Sequence, residues 1–456
     1  MYDFLLFLNL AVWLALTIFY VRQPFASVFH PVSFYLAFHF IVFAFRPIFA
    51  WYGDYNQIYR TYQFTPSIND KIVVQFGTIL GLLCFVIPAM RFGNAPPRFP
   101  QDNFDNSERE NLLRPFLLVT AIIAPIGFIS ALAHWDTRAT ESSTMIMDAA
   151  TGHTINTTSN GYFDNFQIFL APLSVMFAWL CRFRWWSLMP LAFFVVLRAG
   201  TGGRAPFVLA CVAAALLFLY QQRRKWPNLR AIAIAAVGLA FFAPIGGDRG
   251  AAVRNLFIED RSYITAFGNK PSELQFLEGM DFGNLEYFEF LVYAVPQRTG
   301  TYGFFLDNLQ LITQPIPRVL WEGKPVGPPI QLFHLFDYGY PIGMTYSLPG
   351  NGWMQLGFVG IAIWRATFGW LFGTIYNLFQ QSSHSNYFTV SYMIFLSLAI
   401  QFFRDGLLLV LVQISAFYLF PVCLIVKIAR LSGVPMAVDL RRLAWRRRKR
   451  SGRPAR

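Results

Sequence analysis

Six basic side chains stand out in a chain that otherwise avoids charge: Arg198, Arg204, Arg298, Arg318, Lys324 and Arg404. Arg198 and Arg204 flank a glycine-bearing break, Thr201-Gly202-Gly203, between two apolar runs. Arg318 and Lys324 lie in a stretch stiffened by Pro315, Pro317 and Pro325. Arg404 closes another apolar run beside Asp405. A guanidinium presents a planar fork of N–H donors that matches phosphate oxygens, and free backbone N–H groups at a break between helices add to such a site. An arginine in or near hydrocarbon is costly and normally partnered. Taken singly, each of these residues would snorkel or pair with an acid such as Asp248, Glu259, Asp260 or Asp405. Taken as a set, they suit an anion, and a diphosphate headgroup at a bilayer surface is the anion expected. Metal chemistry has no comparable signature. There is no HExxH, no P-loop and no His/Cys cluster, and Cys84, Cys181, Cys211 and Cys423 lie singly in apolar runs as small hydrophobes. No metal or cofactor is expected.

The elements that must position these residues are membrane spans. Of 456 residues, 55% are hydrophobic and only 13% charged, with 50 Phe, 20 Tyr and 12 Trp; the mean hydropathy is +0.42. Soluble domains carry about a quarter charged residues, so half the polar cover is missing. A soluble enzyme, a disordered chain and a disulfide scaffold are excluded, which leaves an all-α polytopic membrane protein. Apolar runs of spanning length predict about eleven helices, at roughly 3–21, 32–50, 72–90, 115–134, 165–181, 186–200, 205–220, 229–246, 352–376, 387–403 and 406–427. The start of the chain lacks a basic n-region and a cleavage site, so the first run is read as a span.

Orientation follows from Lys and Arg in the short loops. Nine basic residues crowd the C-terminal tail between Arg441 and Arg456, and with the tail inside, the tail and the alternate loops together hold 22 of the 37 basic residues. The N-terminus is then outside and the C-terminus inside. The tail is read as an orientation anchor that meets membrane lipids, and no recognition module accompanies it, so no nucleic-acid partner is expected. The resulting organisation is 1–246 as about eight N-terminal spans, 247–351 as a large outer loop, 352–427 as three C-terminal spans and 428–456 as a basic cytoplasmic tail. A loop of about a hundred residues far exceeds an ordinary connection and is usually functional. Within it, the Gly303–Leu311 stretch is read as helical or dipping into the membrane.

Three stretches carry a resemblance. Leu197-Arg198-Ala199-Gly200-Thr201-Gly202-Gly203-Arg204-Ala205-Pro206 resembles the span, Gly/Ser-rich break, Arg, span pattern of bacterial oligosaccharide repeat-unit polymerases. Pro315-Ile316-Pro317-Arg318-Val319-Leu320-Trp321-Glu322-Gly323-Lys324-Pro325 is similar to a stretch in their large periplasmic loop. Ser347-Leu348-Pro349-Gly350-Asn351-Gly352-Trp353, followed by Gly357-Phe358-Val359-Gly360, resembles the segment that re-enters the membrane after that loop. The family is the Wzy-type polymerases of O-antigen and exopolysaccharide synthesis. One departure is plain: family members usually carry Glu beside the glycine matching Gly352, and here the neighbours are Asn351 and Trp353.

The resemblance implies a GT-C-like glycosyltransferase of the bacterial inner membrane. Such an enzyme moves a growing glycan from undecaprenyl diphosphate onto a sugar hydroxyl of the next lipid-linked repeat unit. Its partners would be undecaprenyl-diphosphate-linked oligosaccharides, membrane lipids and a chain-length regulator. The six basic residues would stabilise charge developing on the diphosphate, without a metal. The acceptor hydroxyl needs a base, for which His334 and Glu322 are the candidates, with Asp337, Glu286 and Glu289 behind them. Two other activities compete: an O-antigen ligase of the same fold, and a transporter or flippase of lipid-linked oligosaccharide. Against the transporter stand the missing internal repeat and the scarcity of mid-span charge, Arg365 being the clearest.

Overall fold

The structure is a computed structural model that describes residues 1–99, 102–137, 145–147, 154–156, 165–200, 204–233, 283–316, 320–321, 324–325, 327–339, 345–382 and 385–433. Its helices are α1 (Tyr2–Val21), α2 (Pro31–His39), α3 (Arg46–Tyr52), α4 (Gln57–Tyr62), α5 (Ile68–Phe92), α6 (Asp102–Thr137), α7 (Leu170–Leu180), α8 (Met189–Gly200), α9 (Arg204–Gln221), α10 (Asn284–Ala294), α11 (Ser347–Gln381), α12 (Asn386–Asp405) and α13 (Leu408–Leu431), with short 3₁₀ turns between some of them. Among the described residues, seven segments are long and apolar enough to cross a membrane: Tyr2–Val21, Pro31–Tyr52, Ile68–Phe92, Arg109–Ala133, Ser347–Gln381, Tyr387–Asp405 and Leu408–Leu431. Asn165–Leu180, Trp185–Arg198 and Ala205–Gln221 are shorter apolar helices. The chain is a multi-pass membrane protein. Leu117, Leu118, Ile122 and Ile129 on one side of α6 are exposed, as lipid-facing side chains are. The seven long segments and the three shorter helices fall on predicted apolar runs, whereas α4 and α10 fall on none. Residues 234–246 of the run at 229–246, all of 247–282 and the basic tail from 434 lie outside the described residues. One departure from an all-helical chain is an antiparallel hairpin pairing Met145–Met147 with Thr154–Asn156.

Local chemistry explains where the helices start, bend and stop. Ser67 caps α5: its Oγ accepts from the Asp70 N–H at 3.2 Å, and the Asp70 carboxylate accepts from the Ser67 N–H at 2.8 Å. Between α2 and α3 the helix loosens into a π-turn over Phe40–Phe45. Pro47 has no N–H to offer the Phe43 carbonyl one turn earlier. The Asn9 amide from α1 fills that vacancy, donating to Phe43 O at 2.9 Å.

α11 spans 35 residues, about 52 Å if straight and well beyond a bilayer core. It is not straight. Leu356 and Gly357 leave helical geometry, and Gly357 sits at φ +61°, ψ −139°, a conformation that favours glycine. The break frees the carbonyls of Met354 and Gln355. The backbone N–H groups of Gly303 and Phe304 take them up at 2.9 and 3.1 Å. A segment far upstream is thereby locked onto the bend.

The range read as one outer loop holds α10, buried along almost its whole length between α5 and α11. It carries two acids into the interior. Glu286 Oε2 accepts from Arg46 Nη1 at 2.6 Å, with both side chains essentially inaccessible. Glu289 Oε2 accepts from the Tyr59 hydroxyl at 2.5 Å, and Lys71 Nζ donates to that hydroxyl at 3.1 Å. A second polar seam runs from the buried Arg365, which donates to Tyr35 Oη, through His39 to Asn9 and on to Gln75 and Thr78. Aromatic and aliphatic side chains pack around these seams: Phe85, Phe368, Phe372 and Phe403 in one cluster, Phe43, Phe288, Leu291 and Ile361 in another.

Candidate active site

A cavity of about 170 Å³ opens where the bend of α11 meets the start of α13. One wall comes from α10 through Tyr287 and from the first turns of α11 through Met354 and Gln355. Another comes from Leu407–Leu409, and the remainder from 303–310 and 328–336. Tyr287 and Tyr346 meet edge-on with centroids 5.0 Å apart; burial pushes both phenols well up, so they stay protonated. Asn284 ties the walls together, its Nδ2 reaching Thr345 Oγ1 at 2.7 Å, Thr345 O at 3.0 Å and the Arg404 carbonyl at 2.9 Å.

Asp307 is the acid in this cavity. It lies in the 3₁₀ turn Leu306–Leu309, which follows Phe304 and Phe305, both held at positive φ. Phe305 N–H donates to Gln355 Oε1 at 2.5 Å, fixing the turn on α11. The carboxylate accepts from Asn308 Nδ2 at 3.1 Å on Oδ1 and from Asn351 Nδ2 at 3.4 Å on Oδ2. Burial raises its proton affinity above the ordinary aspartate value, offset in part by Asn351, by backbone N–H groups and by the Gln355 amide. Sequence reasoning missed Asp307 although a signal was there: an acid set directly after the apolar Phe304-Phe305-Leu306.

The residues singled out from sequence are dispersed. His334 lines the cavity from the residue before the turn Leu335–Tyr338. Arg198 closes α8 and donates to Gln167 Oε1 at 2.5 Å. Arg298 is exposed and folds back over the Tyr293 ring, 3.3 Å from its centroid, donating to the Tyr293 carbonyl. Lys324 braces its own loop, donating to the carbonyls of Gln314 and Ile316 at 2.9 Å each. Arg404 ends α12 just ahead of the cavity residues Leu407–Leu409. Among the described residues, none of these four basic side chains lines the cavity. Arg204 opens α9, where only its backbone is described; Glu322 and Arg318 lie outside the described residues. Glu286 and Glu289 are engaged with Arg46 and Tyr59 away from the cavity, and Asp337 does not line it.

Spanning helices around a largely apolar cavity with a few polar groups, built where one long helix bends and a preceding segment docks on the bend, define a multi-pass membrane protein with a candidate site among its helices. The family model for O-antigen polysaccharide polymerase Wzy matches residues 1–248, more than half of the chain. The protein therefore belongs to the Wzy family of O-antigen polysaccharide polymerases. The match takes in the Arg198–Arg204 break and stops before the cavity segments. No curated protein and no solved structure gives a significant match.

Proposed function

We propose that the protein is a repeat-unit polymerase that transfers a growing glycan from undecaprenyl diphosphate to a sugar hydroxyl of a second lipid-linked unit. The family match over residues 1–248 carries this reading. The reaction takes place in the Asp307–His334 cavity, at the periplasmic face of the bacterial inner membrane. Eleven spans set the N-terminus outside and the C-terminus inside, in a GT-C-like arrangement. Three things support the cavity as the place of reaction: its walls are mostly apolar, its few polar groups converge, and its aromatic side chains suit pyranose faces. The leaving group departs as a diphosphate. Arg404, Arg298, Arg318 and Lys324 are assigned to stabilising the charge that develops on it, and Arg198 and Arg204 to the lipid-linked headgroup at the break between α8 and α9. In this scheme no metal is required, and His334 hydrogen-bonds the sugar. A chain-length regulator is the expected protein partner.

The test is deletion of the gene in its host, followed by electrophoresis of the surface polysaccharide. A polymerase deletion leaves single repeat units on the lipid core, and the chain restores the ladder. A deletion that leaves no units on the core would make the protein a ligase, and one that strands lipid-linked units on the cytoplasmic side would make it a transporter.

A further inference from the structure

Among the described residues, two imidazole or carboxyl groups reach the cavity, His334 and Asp307, and they are held very differently. Among the described residues no hydrogen bond orients the His334 ring, whereas Asp307 is held by donors on both carboxylate oxygens. One donor, Asn351, is fully buried in the first turns of α11, and its own Oδ1 has no hydrogen-bond partner. A buried amide left half-satisfied is costly, so its placement against Asp307 is a fixed feature of the interior. The turn carrying Asp307 is pinned twice more, by the Gly303 and Phe304 N–H groups on the bend of α11 and by Phe305 N–H on Gln355. Asn308 Nδ2 and Asn351 Nδ2 thus meet different oxygens of a carboxylate that lines the cavity.

We propose that Asp307 is the proton acceptor for the attacking hydroxyl and that Asn351 is its positioning residue. The inference rests on the polymerase reading. In the step, the acceptor sugar's hydroxyl oxygen forms a bond to the anomeric carbon of the donor glycan. The bond from that carbon to the diphosphate oxygen breaks, and its electron pair leaves on the diphosphate. The hydroxyl proton passes to an Asp307 oxygen and then to water. Burial lifts Asp307 toward the operating pH, which strengthens it as a base. The other titratable groups facing the cavity are His334, Tyr287 and Tyr346.

The experiment uses the full chain in lipid vesicles with lipid-linked repeat units, reading polymer turnover, equilibrium binding of the lipid-linked unit and the pH–rate profile. Asp307→Asn is expected to lower turnover by at least about 100-fold with binding little changed, and Asp307→Glu to keep measurable turnover. Asn351→Ala removes a donor to the carboxylate and should move the acidic limb of the profile to higher pH, while His334→Gln leaves that limb in place. Turnover near wild type in Asp307→Asn overturns the proposal, as does a loss confined to His334→Gln. If Asp307→Asn fails to accumulate in the membrane, the limb in Asn351→Ala decides, and an unmoved limb refutes the assignment. A wild-type chain that extends no lipid-linked unit removes the polymerase reading and this proposal with it.

Discussion

The Arg46–Glu286 pair makes an asymmetric prediction. It joins α3 to α10 at 2.6 Å with both side chains inaccessible, and α10 also carries Asn284 and Tyr287, which shape the cavity. Glu286→Leu removes the ion-pair partner of a buried guanidinium that has no neutral form within reach, so the cost should be about 3–5 kcal/mol at any workable pH. Arg46→Met strands a carboxyl, which can take up a proton. With an ordinary glutamate near 4.3, neutralising it costs about 3.7 kcal/mol at pH 7 but only about 1 kcal/mol at pH 5. Arg46→Met should therefore recover most of its lost stability on acidification, and Glu286→Leu should not. The double variant Arg46→Met/Glu286→Leu should lie near wild type at both pH values. Thermal unfolding of the purified protein in detergent, at pH 5 and pH 7, gives the comparison. It is best made in a Glu289→Gln background, because Glu289 titrates in the same window. Equal pH dependence in the two single variants, or a cost for Glu286→Leu below about 1 kcal/mol, would refute the reasoning.

Glu289 itself is pushed up to about 7, first by burial, against the pull of Lys71, with Glu286 adding to the rise and the Tyr59 hydrogen bond and Arg46 opposing it. A raised carboxyl stabilises the fold fully below the ordinary glutamate range, and that stabilisation fades as pH climbs to about 7. Glu289→Gln should flatten roughly 3 kcal/mol of that slope, and a stability profile between pH 4.5 and 7 that keeps the wild-type slope would count against it. Gly406 lies at φ +72°, and a Cβ there would stand 2.1 Å from the Ser347 carbonyl oxygen. Gly406→Ala should cost at least about 2 kcal/mol and shift the Leu407–Leu409 wall, seen as a lowered unfolding temperature together with reduced turnover; an unchanged melting curve would contradict the packing at that turn.

Helices of spanning length were legible because each is specified by its own twenty or so apolar residues. α10 was not. Its eleven residues, Asn284–Ala294, are too few to span and include two acids, so they read as part of a loop. Their burial depends on Arg46, 240 positions away in the chain, and no local pattern announces such a partner. The bend of α11 was half-legible: the glycines after Asn351 marked an irregular re-entry, but the strand of backbone that satisfies the freed carbonyls comes from Gly303 and Phe304. The basic residues mislead in the opposite sense. Their types suit one anion site, yet Arg298 and Lys324 bond to carbonyls a few residues away and Arg198 to Gln167, contacts that a long flexible cation finds locally whatever its wider role.

An amide rather than a carboxylate at Asn351 has a physical consequence in the cavity. A carboxylate at this position would stand against Asp307, where the Asn351 amide now donates at 3.4 Å. Two buried carboxylates at that separation do not both ionise, and one would hold a proton at neutral pH. An amide removes the conflict: it supplies a donor where a second acid would supply repulsion, and it stabilises the ionised form of the acid that remains. Among the described residues, Asp307 is the one carboxyl that lines the cavity, on the turn that docks on the bend of α11. That arrangement ties the chemistry to the docking, because any change that loosens Gly303–Phe305 from Met354 and Gln355 also withdraws Asp307 from Asn351.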